Sequence, residues 1–379
     1  MFRGTIMIID ASEIQYRALG ETNTQTRRLA YLSAITRLIA TMDISQEKLI
    51  TKLLSWSQST QDRLKDYWVS TGEITQTPKN SSIKRYVDLS LAIGLIAQVS
   101  SSFCLTRTGT VFYTLIRDIK QNINPFFLSD TEKIFYLHLL LSKDSDLLLT
   151  IADLIIKNPD IYLSNIQEQF QDEIITRLNT KLSLASDEIT RQELLDRRNI
   201  IQHSWRSPKR YAEHIVPPRL NWLLDLDFLE PGSFKRHHFC FTEQGGRFFS
   251  GLPTVGKPGL HDVSGNWLDA DFWSLAANTV LQSRLLKYSK DIDDQMYCDI
   301  FIPYLEDAFK AFRYTVVPKI SLTEALLYIS LAVLIQEGVV ISPTSLSKWL
   351  ETPRVFAHRQ FEIRYSPREN ERYVIMKSI

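Results

Sequence analysis

Cysteine is scarce in this chain: three residues among 379, at Cys104, Cys240 and Cys298. So sparse and odd a set excludes a disulfide framework and suits reduced thiols, which makes a cytoplasmic location the expectation. Charge of one sign is missing as well. A formal net charge of +1 excludes a wholly basic nucleic-acid coat. No apolar run is long enough for a bilayer. The most apolar stretch, "ALLYISLAVLI" at Ala325–Ile335, is bounded by Glu324 and Glu337 and predicts a buried helix, so no membrane partner is expected. The opening "MFRGTIMIID" has only a short apolar run before Asp10, unlike a signal peptide.

Catalytic signatures are absent too. There is no Walker A, no Rossmann glycine fingerprint and no G-x-S-x-G. "HHFC" places His237, His238 and Cys240 close together, but no paired C-x-x-C or H-x-x-x-H spacing accompanies it. The densest carboxylates, Asp291, Asp293, Asp294 and Asp299, have no strand-borne Glu-x-Lys beside them and predict a solvated loop. Cys104 and Cys240 fall in apolar runs and predict small buried side chains. No catalytic residue, cofactor or metal is therefore expected.

What is present is a packable chain. Its 44% hydrophobic and 11% aromatic content excludes wholesale disorder. Helical periodicity runs through "RRLAYLSAITRLIATM", with Leu29, Leu32, Ile35, Leu38 and Ile39 on one face. Ser129 and Glu132 have capping-box spacing before an apolar run that closes at Asn158-Pro159, and Ser321 and Glu324 repeat that spacing. Gly338 stands where a helix would end. "FEIRYSPRENERYVIMKS" alternates around Pro367–Asn370, as a β-hairpin does. Charge is uneven along the chain. Residues 81–120, 198–250 and 345–379 each carry a net +3, whereas 129–197 carry −6. Four regions are expected: an N-terminal helical region with a first β-hairpin unit (1–125), an acidic helical middle (126–200), a second unit (201–255), and a C-terminal helical region with a terminal helix and hairpin (262–379).

One phrase occurs twice: "FCLTRTG" at Phe103–Gly109 and "FCFTEQG" at Phe239–Gly245, each downstream of a "KRY". Thr242 is placed to cap a helix, and Gly245 to allow close approach to a neighbour. Before the second copy, "KRYAEHI" should stop near Pro217-Pro218, with Pro218 opening the next helix. Helix, turn, helix, hairpin and capped helix in that order resemble the winged-helix (winged helix-turn-helix) DNA-binding domains of prokaryotes. The carriers are "PRLNWLLDLDFLE…FCFTEQGGRFF" and, in the first copy, "LAIGLIA…FCLTRTG".

The resemblance implies a mainly α fold of two or more winged-helix units with short β-hairpin wings, joined by an α-helical middle. It further implies a non-catalytic subunit that binds or positions double-stranded DNA in a prokaryotic DNA-transaction or defence complex, with a protein partner. Outward-facing candidates are Lys209, Arg210, Arg219, Asn221, Lys235, Arg236 and His237. Arg and Asn suit base edges, while Lys and Arg on the hairpin suit phosphates. Two alternatives stay open: a scaffold whose winged helices hold an ATPase or nuclease partner, and a restriction-type nuclease with an unrecognised centre.

Overall fold

α1 (Ala30–Ile39) begins a mainly helical chain and is buried on all sides from Ala30 to Thr36 rather than on one face. The computed structural model describes residues 9–20, 25–40, 43–60, 62–63, 74, 81–119, 124–231, 237–256, 260–312, 318–356 and 358–378. After α1 come β1 (Ile44–Ser45), α2 (Gln46–Thr60), α3 (Ser81–Ala92), β2 (Ile96–Val99), β3 (Ser102–Leu105) and α4 (Arg107–Ile116). The three strands are antiparallel in the order β1-β3-β2, so the first strand pairs with the last.

A similar order returns with one more helix. It comprises α5 (Asp130–Lys157), β4 (Ile161–Tyr162), α6 (Leu163–Leu184), α7 (Glu188–Asn199), α8 (Pro208–Asp225), β5 (Leu229–Pro231), β6 (His238–Phe241) and α9 (Glu243–Ser250). Its sheet is β4-β6-β5, again first strand on last. A connector follows, with β7 (Thr254–Val255), β8 (Leu260–His261), α10 (Gly265–Ala270), α11 (Phe272–Val280) and β9 (Lys287–Tyr288). The C-terminal region then gives a third version, with a short strand between its helices and three strands after them. Its elements are α12 (Asp294–Phe312), β10 (Lys319–Ser321), α13 (Leu322–Glu337), β11 (Val339–Val340), α14 (Pro343–Leu350), β12 (Arg354–Phe356), β13 (Arg359–Ser366) and β14 (Glu371–Ser378). Here the sheet runs β10-β14-β13-β12.

The repeated phrase has the same physical role in both copies. Thr106 Oγ1 accepts the Gly109 N–H at 2.9 Å, and Thr242 Oγ1 accepts the Gly245 N–H at 3.0 Å. Each hydroxyl also donates to the helix-to-strand turn, to the Gly94 carbonyl at 2.6 Å and the Asp227 carbonyl at 2.7 Å. A Cβ at Gly109 would collide with the Leu95 carbonyl oxygen, and one at Gly245 with that of Phe228. Only glycine lets the capped helix sit on the preceding turn. The two "KRY" segments are not equivalent. Lys84 stands as far before Leu95 as Pro217 stands before Phe228, so that match is out of register.

Several local expectations change. α8 does not stop at Pro217-Pro218 but continues through both prolines. Their missing N–H groups face Glu213 and His214, which are exposed to water, while Arg219 and Asn221 side chains donate to the Ile215 and Pro217 carbonyls at 2.8 and 2.7 Å. Ser129–Glu132 forms its capping box, whereas Ser321 makes no side-chain cap bond. Gly338 ends α13 at a φ of 67°. Cys104 and Cys240 are free and part-exposed rather than buried.

Most acids of the 129–197 stretch lie at the surface, but three of them are inside. α5 kinks at Asp144, whose φ is −139°. Asp144, Asp146 and Asp153 are buried and pair with Arg219, Lys181 and Arg177. After a short 3-10 turn at Ala11–Glu13, residues 14–20 cross this region as a strap. Asp146 Oδ2 accepts the Arg17 N–H at 2.7 Å, and Asp144 Oδ1 accepts the Leu19 N–H at 2.9 Å. Further on, Asp225 takes Arg28 Nε at 2.9 Å and the Leu29 N–H at 2.8 Å, tying the end of α8 to the start of α1. One apolar core fills the region from Ile9 to Leu281, and a second is centred on α12–α14 and their sheet. α13 contributes to both.

Candidate nucleic-acid interface

Proline at the first position of α8 is pre-set for a helix start, so Lys209 and Arg210 fall in its exposed first turn. Lys209 reaches Glu168 on α6 at 3.3 Å. His237 is exposed at a φ of 71°, and its carbonyl accepts the Leu163 N–H at 2.9 Å. Lys209 and His237 therefore both border the first half of α6. Lys235 and Arg236 lie outside the described residues.

Arg219 and Asn221 require correction, because neither faces outward. Arg219 is 0% exposed and Asn221 3%. Arg219 grips Asp144 with two bonds, Nε to Oδ2 at 2.6 Å and Nη2 to Oδ1 at 2.7 Å. A helix restarting at Pro218 would have presented its own free face. The continuous α8 instead turns Arg219, Leu220, Trp222 and Leu223 into the core, where Trp222 Nε1 donates to the Thr26 carbonyl at 2.8 Å. These side chains have their partners inside the protein.

The third repeat exposes what the second hides. β13 and β14 pair over their whole length, from Arg359↔Ser378 to Ser366↔Glu371, with Asn370 at a φ of 50° in the turn. This long hairpin carries Arg364, Arg368 and Arg372 exposed, and Tyr365 at 57% exposure faces Arg372 across the strands. Between the hairpin and α14 lies an open cleft of about 630 Å³. Lys348 and Arg372 line it together with Asp269, Glu351 and Glu371. Arg372 lies 3.8 Å from Glu351, and Glu371 is bound by Arg107 of α4 at 2.6 Å. Lys348 and Arg368 have no ion-pair partner among the described residues.

Sequence reasoning assigned no role to Lys348, Arg368 and Arg372, although the net +3 of residues 345–379 and the hairpin pattern were both visible. In α3 of the first repeat, Lys84 and Arg85 are also exposed, with Arg85 3.7 Å from Asp88. Among the described residues, no group of three or more histidines, cysteines or acids could hold a metal ion. Asp294 instead accepts Trp349 Nε1 at 2.9 Å and pairs with Arg354. Burial and the neighbouring Glu230 push the Cys240 thiol up, away from a reactive thiolate. His261 Nδ1 lies 2.6 Å from Asp153, but that carboxylate is already held by Arg177 and serves as a structural anchor. No helix among the described residues is long and apolar enough to cross a membrane. Compared with protein-family models and with curated proteins, the chain matches none.

Proposed function

We propose that the protein is a non-catalytic DNA-binding or DNA-positioning chain of three winged-helix units, working with a protein partner in a prokaryotic DNA-transaction or defence complex. One observation carries this reading. A helix, a short strand, two or more further helices and a closing hairpin, with the first strand paired to the last, recur three times, the second copy adding a helix and the third two strands. That is the arrangement in which a helix enters a groove and a wing follows the backbone. The third unit offers the best grip on duplex DNA. Its arginine-bearing hairpin and Lys348 suit phosphates, and Tyr365 and Asn370 at the tip suit a groove edge.

Titration of a labelled duplex across salt concentrations tests the proposal. Log affinity should fall linearly with log salt, with a slope of about −0.9 per phosphate contacted. Lys348→Glu with Arg368→Glu should weaken binding and flatten the slope by about two contacts. A wild-type protein that leaves the duplex free at low salt would sink the proposal. The scaffold reading has its own support in the second unit, where α8 is covered by the chain itself through Thr26, Arg28 and Leu29. A helix covered in this way serves assembly rather than groove reading.

A further inference from the structure

The repeated phrase varies at one position that reaches across the molecule. Where the second copy carries Glu243, the first carries Arg107, the opening residue of α4. Glu243 pairs with Arg247 on its own helix. Arg107 instead places Nη1 2.6 Å from both carboxylate oxygens of Glu371, the first residue of β14. Tyr373 Oη donates to the same carboxylate at 2.5 Å. Burial alone would raise the Glu371 carboxyl, but the hydroxyls of Ser321 and Tyr373 and the Arg107 guanidinium together outweigh it and hold the group at about 2, fully ionised.

Glu371 also lines the cleft between hairpin and α14, where three carboxylates stand against the two cations Lys348 and Arg372. Left unpaired, Glu371 would repel any phosphate approaching Arg372. We propose that Arg107 is a positioning residue of the third unit's DNA site, one that cancels the charge of Glu371, so that docking of the first unit strengthens binding by the third. This inference rests on the DNA-binding reading above. The second unit has no equivalent clamp, because Glu243 and Arg247 satisfy one another.

A double-mutant cycle on duplex affinity, with melting temperature followed in parallel, tests it. Arg107→Ala should weaken binding by about five- to tenfold, within the range usual for coupled sites. Arg107→Lys, which keeps the charge, should retain most of the affinity. Glu371→Gln should raise affinity far more in the Arg107→Ala background than in the wild type, bringing the pair to within about twofold of the wild type. A merely structural loss would leave that pair as weak as Arg107→Ala alone and would overturn the inference. Unchanged binding by Arg107→Ala would overturn it equally, while leaving the DNA reading intact. Failure of the wild type to bind duplex would overturn both.

Discussion

Glycine at two positions shows how one missing methyl group fixes a fold. Gly109 and Gly245 let a capped helix rest on the carbonyl of the residue that ends the preceding turn. Gly246, the next residue, has no such constraint, since the nearest atom to its added Cβ is 4.0 Å away. Gly109→Ala and Gly245→Ala should each cost about 3 kcal/mol, because backbone must move to admit the methyl. Gly246→Ala should be neutral or stabilising by about 0.5–1 kcal/mol through its gain in helix propensity. Denaturant unfolding of the three variants checks this, and equal losses at Gly245 and Gly246 would count against it. The Thr–x–x–Gly spacing was visible in the sequence because cap and glycine are neighbours along the chain. The variable residue between them, Arg107, had a partner far away in sequence and could not be paired by pattern.

Elements show the same division. Helix α5 follows from apolar periodicity and its capping box, α6 from apolar periodicity, and the terminal hairpin from alternation around Pro367–Asn370. α8 does not follow from local rules. Proline rules predict a break, but tertiary contacts bury Pro218 and Trp222 on one side and keep the helix continuous. Arg219 then becomes a tie between α8 and the kink of α5 rather than a reader of bases. Removing one partner of a buried pair leaves an uncompensated charge, so Arg219→Ala should cost about 3–5 kcal/mol. Duplex affinity per folded molecule should be unchanged. A variant of wild-type stability that has lost DNA binding would restore Arg219 to the interface.

At the scale of the whole molecule, α13 joins the two cores. It is apolar all round, as a helix enclosed on every side must be. Leu331 and Leu334 pack into the larger core, while Leu326, Ile329 and Val333 pack into the C-terminal one. Each Leu→Ala change should cost about 2–5 kcal/mol. Because both leucines serve the junction, Leu331→Ala with Leu334→Ala should also separate thermal unfolding into two transitions by calorimetry. A single transition that merely shifts to lower temperature would show that the cores are coupled by other contacts, such as Arg107 with Glu371.

The sequence by itself determined what depends on near neighbours. Helical periods, the Thr cap, the glycine beneath it, the left-handed Gly338 and the long terminal hairpin involve residues within a few positions of one another. Only the tertiary structure decided where charge is used. An arginine in a sequence needs a partner, but nothing local says whether that partner is water, a phosphate or a carboxylate brought in by the fold. Arg219 found Asp144, Arg28 found Asp225 and Arg107 found Glu371, each across long stretches of chain. That sorting buried two of the expected contact residues in the second unit and left Arg364, Arg368 and Arg372 exposed on the hairpin of the third.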